Sequence, residues 1–140
     1  MAGINAGKVV VGGLVAGVII NISEFILNNV VLASEMAKMT TAHNLTPLGI
    51  HAIAFFVAFG FAEGLILTWL YAAVRPRLGP GPRTAALTGL VVWFFAFFWS
   101  SALFAALGIC TGNPMMIGLV WSLVETMVAS NVGAMLYTEA

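Results

Sequence analysis

Three glutamates lie inside long apolar stretches of this chain, and of all its residues they are the best candidates for a chemical role. Glu24, Glu63 and Glu125 each fall within one such stretch, and no Lys or Arg lies inside any of them. An ionised, unpaired carboxyl group at membrane depth is costly, so acids in such positions usually face protein and mark functional sites. We therefore expect all three side chains to face the interior of the protein.

The composition predicts an integral membrane protein. Of the 140 residues, 61% are hydrophobic and 7% are charged, whereas soluble proteins carry about 25% charged residues. A helix that spans a bilayer needs about 20 mostly apolar residues. The chain offers four such stretches, residues 9–32, 49–74, 85–109 and 115–137. The prediction is a single all-α integral membrane domain over residues 1–140, folded as a four-helix transmembrane bundle.

Several other classes of protein are excluded by the same residues. The first apolar stretch is too long for a cleaved secretory leader, and polar residues interrupt it. A net charge of zero gives no electrostatic support for nucleic-acid binding, and a single cysteine, Cys110, forms no intramolecular disulfide. No nucleophile has a base beside it, and no phosphate-binding glycine loop or zinc-ligand spacing occurs. The sequence therefore does not predict an enzyme.

The positions of the basic residues predict the orientation in the membrane. Three of the five basic residues lie within residues 75–83, and short loops rich in Lys and Arg stay in the cytoplasm. Since successive spans alternate in direction, we expect an up-down bundle with both termini in the cytoplasm and residues 33–48 outside. The prolines and glycines of residues 75–83 predict that both flanking helices break cleanly there, with the second apolar stretch ending at residue 74.

The three acids are expected at similar depths in the membrane. Counting residues at about 1.5 Å of rise each places Glu24 outward of the centre of its stretch, Glu63 slightly inward and Glu125 close to the centre. All three fall within a layer roughly 10 Å thick. Acids from three helices at one depth predict a shared site.

Helical phase indicates the surroundings of each acid. In the first stretch, Glu24 belongs to a stripe about 80° wide that faces protein. The stripe comprises Gly13, Gly17, Asn21, Glu24 and Asn28. Its glycines allow close helix approach and its amides can hydrogen-bond across the interface. In the fourth stretch Ser122 shares a face with Glu125 and small residues, whereas the same-face neighbours of Glu63 are apolar.

The candidate acid site therefore consists of six residues, Glu24, Glu63, Glu125, Asn21, Asn28 and Ser122. Clustered carboxyl groups cannot all ionise, so they would hold protons and release them when a cation arrives. This logic predicts proton-coupled binding or transport of a small or cationic solute. The alternative is that each carboxyl stays protonated and hydrogen-bonds a neighbouring helix in a structural or accessory subunit of a larger membrane complex.

A further alternative is a cofactor, pigment or metal-binding protein, although no particular cofactor is indicated. Met36, Met39 and His43 would share one face of a helix, and the other outer loop adds Cys110 and two methionines. Thioether, thiol and imidazole ligands together suit Cu(I). The aromatic run of residues 93–99 could instead stack against a quinone or a pigment.

Two segments resemble a group of small bacterial four-span membrane proteins of unknown function. They are the run Trp-Leu-Tyr-Ala-Ala-Val-Arg-Pro-Arg-Leu-Gly-Pro-Gly-Pro-Arg from residue 69 and Ile-Asn-Ile-Ser-Glu-Phe in the first stretch. The resemblance covers nearly the whole chain and implies a multi-pass protein of the bacterial inner membrane, with no activity to carry over. Because four helices enclose little space, the expected partners besides the lipid bilayer are further copies of this chain or other membrane subunits.

Overall fold

The computed structural model describes residues 3–109 and 112–139. In this part of the chain the structure is helical and contains no strand. The helices are α1 (Ala6–Ile26), α2 (Ala33–Ala42), α3 (Ile50–Leu78), α4 (Pro82–Trp93), α5 (Trp99–Ala106) and α6 (Asn113–Leu136). Two π-helical segments interrupt them: Leu27–Val31 continues α1, and Phe94–Phe98 joins α4 to α5.

Four helical segments are long and apolar enough to cross a membrane. They are Ala6–Val31, Ile50–Leu78, Pro82–Ala106 and Asn113–Leu136, named here the first to fourth spans. Each coincides with one of the four predicted stretches, so the prediction of an all-helical chain with four long apolar helices is confirmed. These helices are compatible with a multi-pass membrane protein.

The first span packs mainly against the second and the fourth, and the third span packs mainly against the fourth. Contacting residues run in opposite order along the first two spans: Gly13 lies against Leu65, and Gly17 lies against Phe61. These two helices are therefore antiparallel. The fourth span is likewise antiparallel to the first, since Gly12 lies against Gly133 near one end and Ser23 bonds Trp121 nearer the other.

Glycines allow the helices to cross with their backbones in contact. A Cβ atom on Gly64 would collide with the backbone of Gly13 and Gly17, and a Cβ on Gly12 would lie 2.7 Å from the carbonyl oxygen of Gly133. No larger residue fits at these crossings, because packed helices have no spare volume there. The two glycines of the predicted stripe on the first span therefore face protein.

The turn between the second and third spans is shorter than predicted. Helix α3 continues past Val74 and through Pro76 to Leu78, so the expected clean break at residue 74 is wrong. A proline removes one backbone hydrogen bond, and in the last turns of a helix that loss does not end the helix. The helix ends instead at Gly79 and Gly81, which adopt φ angles of 83° and 126° that favour glycine.

The bundle is tight over one part of its length and open over the rest. We name the tight part the packed half; it comprises residues 6–20, 64–93 and 126–137. The open half comprises residues 25–56, 94–109 and 112–118. The residues between the two halves, 21–24, 57–63 and 119–125, are named the boundary layer. Most buried residues lie in the packed half. Two hydroxyl groups illustrate its density: Ser130 donates to the carbonyl of Ala85 at 2.7 Å, and Thr88 is almost fully buried.

Two tyrosines close the end of the packed half. The backbone N–H of Gly81 donates to the phenolic oxygen of Tyr71 at 3.1 Å, and that of Asn5 donates to Tyr137 at 3.2 Å. The two rings meet edge to face with centroids 6.1 Å apart. The guanidinium of Arg75 lies 5.6 Å from the centre of the Tyr137 ring. Aromatic and backbone contacts thus tie the N-terminus, the 79–81 turn and the end of α6 together.

The helices of the open half make far fewer contacts with one another than those of the packed half. Between residues 25 and 56 the structure buries Leu27 and Leu32, whereas Phe95 and Trp99 are 67% and 63% exposed. Helix α5 makes hardly any contact with the other spans. Within residues 25–56, 94–109 and 112–118, no hydrogen bond joins two different spans. The helices therefore separate beyond the boundary layer.

Candidate functional site: a carboxyl layer where the packing ends

The boundary layer contains all three predicted glutamates. Glu63 lies within electrostatic range of Glu24, and Glu125 lies within range of both. No Lys, Arg or His belongs to the boundary layer. Ionised carboxyl groups in this layer would therefore repel one another without a cation of the protein to offset them.

Glu24 is half-buried and is held by its own helix. The side-chain amide of Asn28 donates to Glu24 Oε2 at 2.8 Å and to the Glu24 carbonyl at 2.9 Å. The predicted site residue Asn28 therefore does contact an acid. Because one amide binds both the carboxyl and the backbone, it restricts the rotamer of Glu24.

Two other predicted site residues join helices instead of contacting acids. The Asn21 amide donates to the carbonyls of Gly17 at 2.8 Å and Val57 at 3.2 Å, which ties the first span to the second. Ser122 Oγ accepts a bond of 3.1 Å from the indole N–H of Trp93 and donates to the carbonyl of Leu119. These bonds join the first span to the second and the third span to the fourth at the boundary layer.

Glu63 and Glu125 differ from Glu24 because they lack such a partner. Oε1 of Glu63 is buried, and it has no hydrogen-bond partner in residues 3–109 and 112–139. The same is true of both carboxyl oxygens of Glu125, whose residue is only 4% exposed. The hydroxyl of Ser23 lies beside Glu125 without meeting hydrogen-bond geometry. Buried polar atoms are nearly always bonded, so these oxygens are candidates for contact with a ligand or an ordered water.

An apolar groove of about 620 Å³ runs between the first and fourth spans and contains Glu125. We name it the Glu125 groove. Its lining consists of Ile19, Ser23, Met116, Ile117, Val120, Trp121, Val124, Glu125 and Val128. The indole N–H of Trp121 donates to Ser23 Oγ at 2.9 Å, so the two spans are bonded at the groove wall. Glu24 and Glu63 lie outside this lining.

Sequence reasoning did not include Ser23 and Trp121 among the site residues. Trp121 precedes Glu125 by one helical turn, so its position on the same face was visible in the sequence. Ser23 falls outside the polar stripe of the first span, and its side chain points to the fourth span while Asn21 bonds the second. Only the arrangement of three helices reveals that role.

The predicted copper ligands lie in the open half. Met36 and Met39 belong to α2 and are half-buried, and His43 follows α2 directly and is exposed. Cys110 lies outside the described residues. Within those residues no group of three or more His, Cys, Asp or Glu is placed to hold a metal ion. Copper binding through methionines stays a prediction.

The aromatic run lies in the π-helical segment of the third span. Phe94 and Phe98 stack with centroids 5.2 Å apart and an interplanar angle of 18°, while Phe95 projects outward. Short π-helical segments occur often at functional sites. The binding of a quinone or pigment to these rings stays a prediction as well.

Comparison with known proteins gives no match: no protein-family model, no curated protein and no solved structure is significantly similar to this chain. The geometry of the boundary layer therefore carries the functional argument.

Proposed function

We propose that the chain is a multi-pass membrane protein, of the bacterial inner membrane as its resemblance implies, that binds a small cationic solute in exchange for protons. The boundary-layer acids Glu24, Glu63 and Glu125 would form the binding site. Both termini and the 79–81 turn would lie in the cytoplasm, because Arg75, Arg77 and Arg83 surround that turn. The four spans would form an up-down bundle.

The observation that carries this proposal is the presence of three carboxyl groups, within electrostatic range of one another, in a layer without a basic residue. Two negative charges that interact across an apolar layer are unfavourable, so protons offset them when no cation is bound. A cation that enters the layer supplies the same compensation. Binding of the cation and binding of protons are then reciprocal, each lowering the affinity for the other.

The position of the layer supports the same function. The acids lie where the packed half ends and the helices begin to separate. A solute can therefore approach them from the open half, while the packed half blocks the opposite direction. One-sided access to a protonatable layer is the arrangement that a binding or transport site requires.

A role as accessory subunit is the second candidate, and a different observation favours it. The open half exposes large aromatic side chains, including Phe55, Phe95 and Trp99, on helices that hardly contact one another. Another membrane subunit, or a second copy of this chain, could pack against these surfaces. In that case the glutamates would be neutral hydrogen-bonding groups within the assembly.

Orientation is tested by labelling single cysteines in a background that lacks Cys110. Cysteines introduced by Gly79→Cys and Thr41→Cys should react with an impermeant thiol reagent from opposite sides of the membrane. Gly79→Cys should be labelled from the cytoplasm, because the arginine-flanked turn stays inside. Labelling of Gly79→Cys from outside would invert the proposed orientation.

The exchange of protons for a cation is tested with Glu→Gln variants, which keep the shape of the neutral acid and remove its titratable proton. Purified protein is titrated with a panel of metal and organic cations while proton release is followed with an indicator dye. The wild type should bind one class of cation saturably and release protons. Glu24→Gln, Glu63→Gln and Glu125→Gln should each reduce both signals.

The matched control is Glu35→Gln, because Glu35 lies on α2 outside the boundary layer and pairs with Lys38. This variant should behave as the wild type. Absence of saturable, pH-dependent binding by the wild type would contradict the proposal and favour the role as accessory subunit. The same conclusion would follow if Gln at the three positions were silent and Ala destabilised the fold.

A further inference from the structure

The Glu125 groove combines two features that together define a class of ligand. One is a carboxyl group whose oxygens are both buried and unbonded within the described residues. The other is a mainly apolar wall around about 620 Å³ of space. A volume of this size is typical of sites for small organic molecules, which are mostly apolar with a few polar groups.

We propose that the Glu125 groove binds an organic amine with a compact apolar body, which enters sideways from the lipid bilayer. This inference rests on the proposed function and names the solute class of that site. The ammonium group pairs with Glu125, and the apolar body lies against Ile19, Val124 and the other aliphatic residues of the groove.

The carboxyl group determines the polar end of the ligand. An ammonium donates N–H bonds to a carboxylate, and such charge-assisted bonds are about twice as strong as neutral ones. Both oxygens of Glu125 lack a partner among the described residues, so they can accept from one ammonium. The indole of Trp121 lines the same groove, and an indole attracts a cation that lies over its ring. Its N–H is already engaged by Ser23, so the ring does not compete for the carboxyl group.

The aliphatic wall determines the rest of the ligand. A hydrocarbon body gains about 25 cal/mol for each Å² of its own surface that leaves water, and it can then pack against this wall in place of lipid chains. A small hydrophilic cation has no apolar surface that gains in this way. The binding free energy of an apolar amine therefore has two sources in one groove, the carboxyl group and the wall.

The rim of the groove determines the route of entry. Val120 and Val124 lie at the rim and are 59% and 58% exposed on the outer surface of the fourth span. In a span this surface faces lipid, so an apolar amine already dissolved in the bilayer reaches the groove directly. The ammonium in water loses one proton to enter as the neutral amine, and the amine then takes the proton of the Glu125 carboxyl. The net result is an ion pair and one proton released to water.

The test uses 1-adamantylamine as the probe, with protein in lipid nanodiscs and empty nanodiscs as background. Its alcohol analogue, 1-adamantanol, has the same apolar body without the amine, and methylamine has the amine without the body. The amine probe should bind saturably and at least tenfold more tightly than either analogue. Glu125→Gln should reduce its affinity tenfold or more, because the charge-assisted bond is lost.

A bulky substitution at the rim tests the position of the apolar body. Val124→Trp fills part of the groove from a lipid-facing position and should weaken binding of 1-adamantylamine at least tenfold. Met135→Trp is the matched control, since Met135 lies three turns further along the same helix and is 82% exposed. It should leave affinity unchanged. Thermal unfolding checks that each variant is folded, and Val120→Trp replaces Val124→Trp if the latter is not.

Each outcome separates this inference from the proposed function. Equal affinity for 1-adamantylamine and methylamine, with both dependent on Glu125, would overturn the apolar ligand and leave cation exchange intact. Equal affinity for the amine and the alcohol would overturn the pairing with Glu125. Unchanged binding in the folded rim variant would place the site elsewhere in the layer. No acid-dependent binding of any cation would contradict the proposed function itself.

Discussion

The packed half and the open half of the bundle differ in the side chains that their helices offer to one another. In the packed half, Gly12, Gly64 and Gly133 allow backbones to touch, and short hydroxyl side chains fill the remaining space. In the open half, large rings such as Phe95 and Trp99 cover the third span. Helices in lipid associate through small residues because apolar side chains are satisfied by lipid itself. The distribution of small residues therefore determines where the bundle closes.

The three glutamates lie at the transition between these halves. Within the packed half a carboxyl group would find no space, and far into the open half it would face lipid. At the transition, Glu24 has an amide partner, whereas Glu63 and Glu125 have oxygens that no described group bonds. Buried carboxyl oxygens without a partner among the described residues therefore occur where tight packing ends.

The largest expected effect comes from filling a helix crossing in the packed half. Gly64→Leu would press a side chain against the backbone of Gly13 and Gly17, and we expect a loss of about 3 kcal/mol or more in unfolding free energy. The measurement is thermal or denaturant unfolding in detergent. Gly118→Leu is the control, since nothing lies within 4 Å of a Cβ atom at Gly118. Equal stability of both variants would contradict the packing of the first two spans.

The next largest effect is expected at the transition itself. Trp93→Phe removes the indole N–H that bonds the Leu119 carbonyl at 3.0 Å and Ser122 Oγ at 3.1 Å. We expect a loss of about 1.5 kcal/mol and faster amide exchange in α5, because the third span is then less firmly attached. Hydrogen-exchange mass spectrometry measures the second effect. Trp99→Phe, at an exposed position, should change neither quantity.

A smaller effect is expected at the closed end of the packed half. Tyr71→Phe keeps the buried ring and removes the oxygen that accepts the N–H bond of Gly81. The expected loss is about 1 kcal/mol, the net value of a single hydrogen bond. Unfolding in detergent provides the measurement, with Trp69→Phe at a half-exposed site for comparison. A loss as large as that of Gly64→Leu would mean that the bond organises the whole turn.

The smallest effect is expected in the open half. Phe95→Ala truncates a side chain that is 67% exposed and should change the unfolding free energy of the isolated chain by less than about 0.5 kcal/mol. The measurement is made in detergent and again in membranes. A substantial loss seen only in membranes would show that another protein surface covers this ring, which would favour the accessory role over an independent binding protein.

Much of this architecture could be predicted from the sequence. The four apolar stretches, their helical state and the glutamates within three of them follow from composition and length, because a polar backbone in lipid must form helices of about 20 residues. Helical phase also indicated that Gly13 and Gly17 face protein. Each of these features is a property of a single helix, so the local sequence is sufficient to predict it.

The residue at which the second span ends and the hydrogen-bond partners of the polar side chains could not be predicted from single helices. Pro76 remains helical because the glycine turn that ends the helix comes later. Asn21 and Ser122 bond neighbouring helices, while Ser23 and Trp121 form the wall beside Glu125. Such pairings depend on which helices cross and on the position along each helix at which they cross. Sequence therefore determined the spans and the acids that they carry, whereas the tertiary structure alone decided that Glu125 lines an apolar groove, because the groove exists only where two tightly packed helices separate.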